Sequence, residues 1–259
     1  MANMSMSSSW ESWKTNSMTE RVVAIHQPNF LPWLGYFAKL ASSDLFAVMD
    51  NAQFPKTGGS WSNRVKMRIG GDAAWVTVPI VRAYHGVRSV REMEIDDHSP
   101  WRTKLLKTIR MSYARAPYVD EVFPLVEAIV AHPSGSLAEF NLFGIRNIAA
   151  VLGIDTTKLV IGSTLNAPGA GTTLLINMVK AVKGTIYLCG GGAGGYQDDA
   201  QFATDGIHLR YQSFSHPEYH QGPGVRFLPG LSVVDALMWC GTAGTSTLLQ
   251  ESSATVLRD

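Results

Sequence analysis

The stretch Val22-Val-Ala-Ile-His26-Gln-Pro-Asn-Phe-Leu-Pro32-Trp-Leu-Gly-Tyr-Phe37, with its continuation Leu45-Phe-Ala-Val-Met-Asp50 and Gln53-Phe54, decides the fold. Val22 to Ile25 is a short apolar, β-branched run and reads as a buried strand. It stops at His26 and Gln27, and Pro28, Asn29 and Pro32 forbid regular structure over the next residues. Trp33 to Ser42 has helical spacing, with Leu34, Phe37, Leu40 and Ala41 on one side. A second apolar run, Leu45 to Met49, ends at Asp50. Strand, loop, helix and strand in this order predict a parallel sheet. The carboxyl edge of such a sheet and the following helix N-terminus form a ligand crevice. His26, Gln27, Asn29, Asp50 and Gln53 are expected to meet there.

Working outward, the chain of 259 residues is 46% hydrophobic and 17% charged, with a net charge of +1. That composition suits a large core and gives no general electrostatic pull towards nucleic acid or membrane. Local basic patches are compatible with it. Cys189 and Cys240 are too few for a disulfide framework and fit a reducing cytoplasm. No run of about 18 apolar residues exists, so no membrane span is expected. Residues 1–20 are polar and read as a disordered leader. Residues 21–245 read as one α/β domain, mainly parallel and Rossmann-like, with a helical insertion at about 100–152. Residues 246–259, rich in Thr and Ser, read as a flexible tail.

Residues 55–60 read as a loop, and near residues 60 to 82 a β-hairpin excursion is predicted. Val65, Met67 and Ile69 alternate with Arg64, Lys66 and Arg68, Gly70-Gly71-Asp72 gives the turn, and Trp75 to Val81 returns. Val87 to Ile95 is a further short strand candidate. Ser99-Pro100 predicts a capped helix start, with Trp101 to Tyr113 as the helix. Pro117 and Pro124 bracket a shorter helical piece. Helices follow over 135–152, with Gly153 as cap, and over Thr172 to Val182. Strands are expected at Lys158 to Ile161, Thr185 to Cys189 and Ile207 to Phe214, and a last helix at Leu231 to Trp239.

His26 has a side chain able to move a proton near neutral pH. Its alternative is a structural histidine that fixes the Pro-rich turn. Asp50 is placed to orient His26, to hold an ammonium or to bind a metal; its alternative is capping. Asn63, Arg64 and Lys66 suit a phosphate or carboxylate, or a solvated hairpin face. The run from Gly190 to Gly195 lets backbone N–H groups approach an anion. It lacks the Lys-Ser/Thr of a phosphate-binding loop. The following Tyr196-Gln-Asp-Asp opens no apolar helix, which argues against a dinucleotide site. His216 and His220 have the spacing of two ligands on one helix face. Pro217 and the absence of a third nearby ligand favour instead a loop carrying His216, Tyr219 and Gln221 over the crevice, with no metal. Tyr36 and the other aromatics of the first helix are expected to build core, with the Tyr36 hydroxyl free to face a ligand.

His26-Gln-Pro-Asn-Phe-Leu-Pro-Trp-Leu-Gly-Tyr-Phe37, Lys39, Ser43-Asp44, Asp50, Gln53-Phe54, Asn63-Arg64 and Lys66 resemble the WbqC-like family. So do Trp75 to Pro79, Tyr196, Tyr219, Gln221, Phe227 to Pro229 and Leu231 to Asp235. The resemblance implies a protein of bacterial O-antigen or other natural-product biosynthetic gene clusters. It also implies a transferase that places an aminoacyl group, glycyl in one version, on an amine. On that reading His26, Asp50 and Gln53 are catalytic. Gln27, Asn29, Tyr36, Lys39, Asn63, Arg64, Lys66, Gly190, Gly191, Gly192, Tyr196, His216, Tyr219 and Gln221 bind substrate. The partners are a small-molecule amine acceptor and an activated amino acid carried by tRNA, adenylate or carrier protein; the sequence leaves these open, as it leaves the oligomeric state. A weaker resemblance links the opening strand and helix to nucleotidyltransferases and class I synthetases, and implies ATP with Mg in a nucleotide-dependent ligase. Trp33, Leu34 and Gly35 stand where those proteins carry a second histidine. A non-catalytic scaffold of a biosynthetic cluster is the remaining alternative.

Overall fold

The structure is a computed structural model, and it describes residues 20–191 and 197–256. The apolar run over Val22–His26 forms β1, and Leu45–Val48 forms β2. Between them Leu34–Ala41 forms α1. Further along come β5 at Leu159–Ile161, β6 at Ile186–Cys189 and β7 at His208–Tyr211. These five strands make one parallel sheet in the order β5-β2-β1-β6-β7. The chain runs outward from β1 on one side, through β2 to β5, then crosses back to β6 and β7 on the other. The order therefore reverses between β1 and β6, and a parallel sheet opens its crevice at such a point.

The period of the strands explains the layers. Ala24, Phe46, Val48 and Leu188 point to one face, and Val23, Ile25, Leu45, Ala47, Tyr187 and Cys189 to the other. Both faces are buried, as parallel sheets require. The second face is covered by α5 (Gly171–Ala181) and α6 (Asp199–Thr204) through Ile176, Val179 and Phe202. The first is covered by α1, the helices α2 (Trp101–Ser112), α3 (Val119–Ala131) and α4 (Leu137–Val151), and α7 (Val233–Val256). The antiparallel hairpin of β3 (Arg64–Ile69) and β4 (Asp72–Thr77) turns at Gly70 and Gly71, with φ of 64° and 100°. The expected parallel sheet, hairpin excursion and helical middle are all present.

Several expected elements differ. The Val87–Ile95 segment is not a strand: a single 3₁₀ turn at Val90–Glu92 replaces it, boxed by Ser89 and Glu92. It meets its neighbours at isolated bridges, Gln53 with Ser89, Ile80 with Ile95 and Glu94 with Ser136. Ser99 does not cap α2, which starts at Trp101 without a side-chain cap. Pro124 does not end a helix but lies inside α3, where it and Asp120, whose carbonyl loses the N–H, sit on the exposed side. Strand β7 stops at Tyr211, three residues before the expected end at Phe214. A short helix, α6, does follow the glycine run, because Asp198 caps it by accepting from Ala200 N at 3.0 Å.

In place of the expected tail, α7 continues to Val256 across a break at Gly241 (φ 69°, ψ 178°). The hydroxyls that suggested a loop are absorbed by the helix itself. Thr245 donates to the Gly241 carbonyl at 2.7 Å, and Ser252 to that of Leu248 at 2.6 Å. Leu249 in this half is buried in the core. The expected leader lies outside the described residues. Among the described residues no helix is long and apolar enough to cross a membrane.

Candidate functional site

The loop after β1 is held by four hydrogen bonds to three other segments. Phe30 N donates to the Trp61 carbonyl at 2.9 Å, and Val233 N to that of Pro32 at 2.8 Å. Ser232 Oγ donates to the Leu31 carbonyl at 2.8 Å and Asn141 Nδ2 to that of Pro28 at 2.9 Å. Leu31 is kept at φ 38°, a strained value for a side chain branched beyond Cβ. The loop is thus rigid where it leaves the sheet, and it presents His26, Gln27 and Asn29 to a crevice of about 750 Å³.

The crevice lies at the carboxyl ends of β1, β6 and β7. Tyr36 and Lys39 of α1 form one wall. Gly190 and Gly191 follow β6, and Gln212, Phe214 and His216 follow β7. Trp33 and Trp61 stand at the side, with ring centroids 5.1 Å apart. Gly35 brings α1 close to Phe214: a Cβ there would lie 2.8 Å from Phe214 Cδ1. Gln212 Nε2 donates to the Gly35 carbonyl at 2.8 Å and ties the same two segments.

His26 Nδ1 lies 3.1 Å from the Gln27 carbonyl. A carbonyl only accepts, so Nδ1 carries the hydrogen and Nε2 is the acceptor, with no hydrogen bond to it seen among the described residues. The ring packs edge-on to Tyr36 at 4.8 Å. Burial, and then the Lys39 ammonium, push His26 down to about 3, against the opposing effect of the Gln27 bond. The imidazole is therefore neutral. Lys39 is 2% exposed and donates from Nζ to the Ile25 carbonyl at 2.9 Å. Burial lowers it to about 8, with the Cys189 thiol working the other way. Burial raises Cys189 itself, opposed by Lys39. Two further polar groups in the wall, Asn29 Nδ2 and Tyr36 Oη, are buried and have no hydrogen-bond partner among the described residues. Unpaired buried donors of this kind are costly unless a ligand answers them.

Of the expected site residues, His26, Gln27, Asn29, Tyr36, Lys39, Gly190, Gly191 and His216 share this crevice. Asp50 does not orient His26: its two oxygens accept from Ser163 N at 2.8 Å and Ser163 Oγ at 2.7 Å, the capping alternative. Gln53 is exposed and bridged to Ser89. Asn63 folds its own turn, accepting from Ser60 N at 2.9 Å and donating to the Val78 carbonyl at 3.2 Å. Arg64 and Lys66 lie over Trp75 on the hairpin, outside the crevice lining. Tyr219 and Gln221 bind Asp235, at 2.8 and 3.0 Å, rather than covering the crevice. Gly192 and Tyr196 lie outside the described residues. The segment carrying His216 and His220 is irregular, and the His220 ring sits on Trp239 instead. Among the described residues no group of three His, Cys, Asp or Glu is placed to hold a metal ion.

Sequence reasoning missed Gln212 and Phe214 as crevice walls and read Trp33 as core. The signal was position: they stand just beyond a parallel strand or at the start of the following helix, where crevice residues collect.

The family description that matches residues 27–247 is the WbqC-like protein family. An uncharacterized protein of Mycobacterium tuberculosis (strain ATCC 25618 / H37Rv), Rv1507c, is 27% identical over 222 residues, which cover 85% of this chain and 94% of that protein. No solved structure matches the chain. The matched span begins at Gln27 in the crevice loop and runs into the second half of α7, so the crevice and the layers that position it lie within the shared region: the chain belongs to the WbqC-like protein family.

Proposed function

We propose that the protein is a transferase that moves an aminoacyl or other acyl group from an activated donor onto the amine of a sugar or natural-product intermediate, forming an amide. One observation carries the reading: a neutral His26, with Nε2 as its acceptor, shares a crevice with the Lys39 ammonium and with two unanswered buried donors. In the reaction the amine nitrogen attacks the donor carbonyl and the bond to the leaving group breaks. His26 Nε2 takes the amine proton and returns it to the leaving group. Asn29 Nδ2 and Tyr36 Oη answer the charge that develops on the carbonyl oxygen. Lys39 pairs with an anionic part of the donor. That pairing offsets the positive charge that helps hold His26 low, so His26 becomes a stronger base once the donor is bound.

The test is amide formation by the purified protein, followed by mass spectrometry, with activated amino acids and a panel of amino sugars. His26→Asn is expected to lose about 100-fold or more in rate while melting like the parent. Full product formation by that variant would remove His26 and the reading with it.

A further inference from the structure

The pleat of the hairpin sorts its side chains by charge. Val65 and Met67 are fully buried. Arg64, Lys66 and Arg68 alternate with them and face the other way, opposite Thr77, Trp75 and Ala73 of β4. This outward face carries three cations and an indole, its strand residues include no carboxylate, and of the three cations Arg68 also acts on the buried Asp235 carboxylate. The ion pairs among the described residues join Arg102 to Asp97, Arg110 to Asp120 and Lys180 to Asp205, so none of them neutralises this face.

Aromatic rings run through it. Trp75 is 44% exposed and Trp61 is 41% exposed, unusual for side chains this large. Trp33, Trp61 and Trp75 form a row with successive centroids 5.1 Å apart, leading from the crevice wall to the hairpin. The Arg64 guanidinium carbon lies 4.4 Å from the Trp75 ring centre. At the far end Arg68 lies 6.0 Å from the Trp239 ring and lines a second cleft, of about 570 Å³, together with Arg115.

We propose that this face binds a single strand of nucleic acid, one end of which passes Trp61 and Trp33 into the crevice. Outward residues along a strand recur every ~6.7 Å, which sets the three cations at intervals suited to successive phosphates of a stretched strand. Exposed indoles supply stacking platforms for bases, and guanidinium groups beside them add cation–π contact. An acidic protein would answer the cations and leave the indoles without a role. A duplex would not expose its bases to them. As a route for a nucleic-acid-borne acyl donor the inference rests on the transferase reading; as a binding surface it stands without it.

Fluorescence anisotropy of the full chain with a labelled single-stranded RNA, the same sequence as DNA, and its duplex tests the surface. Either single strand is expected to bind better than the duplex. Neutralising three phosphates predicts a log–log salt slope of about −2. The double variant Arg64→Gln/Lys66→Gln, and separately Trp75→Ala, are expected to weaken binding about tenfold or more. Absence of strand binding, equal binding of the duplex, or capture of an acidic carrier protein in place of the strand would overturn the proposal. Transfer from a small thioester donor separates the two ideas. Transfer without strand binding removes the surface and keeps the transferase; strand binding without transfer from any donor does the reverse.

Discussion

The side-chain amide of Asn141, in the amino-terminal half of α4, donates to the carbonyl of Pro28 at 2.9 Å, and the same nitrogen reaches the Ser62 carbonyl at 2.6 Å. One residue of the helical layer thereby joins the crevice loop to the segment that leads into the hairpin. Asn141→Ala leaves two buried carbonyls unanswered and is expected to cost about 2–4 kcal/mol, at ~1–2 kcal/mol for each. Urea denaturation checks it, and a variant as stable as the parent would show that the loop is held without this bridge.

Lys39 carries a different kind of cost. Its folded value of about 8 lies below the ordinary 10.5. Between these two values the unfolded chain holds a proton that the folded chain does not, so stability rises as pH increases from about 8 to 10.5. Below pH 8 the fold bears the full cost of burying the charge. Lys39→Met is therefore expected to stabilise the protein by about 2 kcal/mol at neutral pH, after allowing for the lost bond to Ile25, and to abolish amide formation. Denaturation curves at pH 7 and pH 10.5 should show a gain in stability with pH that is larger in the parent than in the variant.

His26 gives the acid counterpart. Its folded value of about 3 lies below 6.5, so the unfolded chain binds the extra proton between them. The associated stability is fully present above pH 6.5 and is lost progressively as pH falls towards 3. His26→Asn should flatten that part of the pH–stability profile; an unchanged profile would show that the ring titrates in the same way folded and unfolded.

Asp50 is expected to behave as a cap. Ser163→Ala removes a hydroxyl bond and Asp50→Asn weakens an acceptor, so each is expected to cost about 1 kcal/mol or somewhat more. Amide formation by folded Asp50→Asn should stay within a few-fold of the parent; a loss of about 100-fold would restore Asp50 to the chemistry.

Tyr219 should act through position. Its hydroxyl and that of Tyr113 both donate to the fully buried Asp235 at 2.8 Å, and Gln221 donates to the same carboxylate. Burial raises Asp235, and these bonds oppose that rise. Tyr219→Phe is expected to cost about 1–3 kcal/mol, read by thermal melting, with little change in substrate affinity.

What was legible in the sequence was local. The β-branched run before His26, the prolines after it and the helical spacing to Lys39 come from one continuous stretch, and they carry most of the crevice floor. What was not legible depended on distant partners. Asp50 is a strand-end acid with several possible uses, and only Ser163, 113 residues away, shows which one it serves. Gln212 and Phe214 looked like the end of a strand because their alternation continues past the last residue that finds a pairing neighbour. The second half of α7 looked like a loop because its small hydroxyl residues favour turns until they bond back within a helix.

The reversal of strand order at β1 also bears on how the molecule is made. The bond from Arg21 N to Thr185 Oγ1, which starts the β1–β6 pairing, spans 164 residues. A chain emerging from the ribosome shows its whole His26 signature early, with one edge of β1 still unpaired and open to other chains. The second wall of the crevice arrives only with β6 and β7. Closure of so long a loop is slow, so the crevice is complete only with the last third of the chain, and an amino-terminal fragment carries the signature without the second wall.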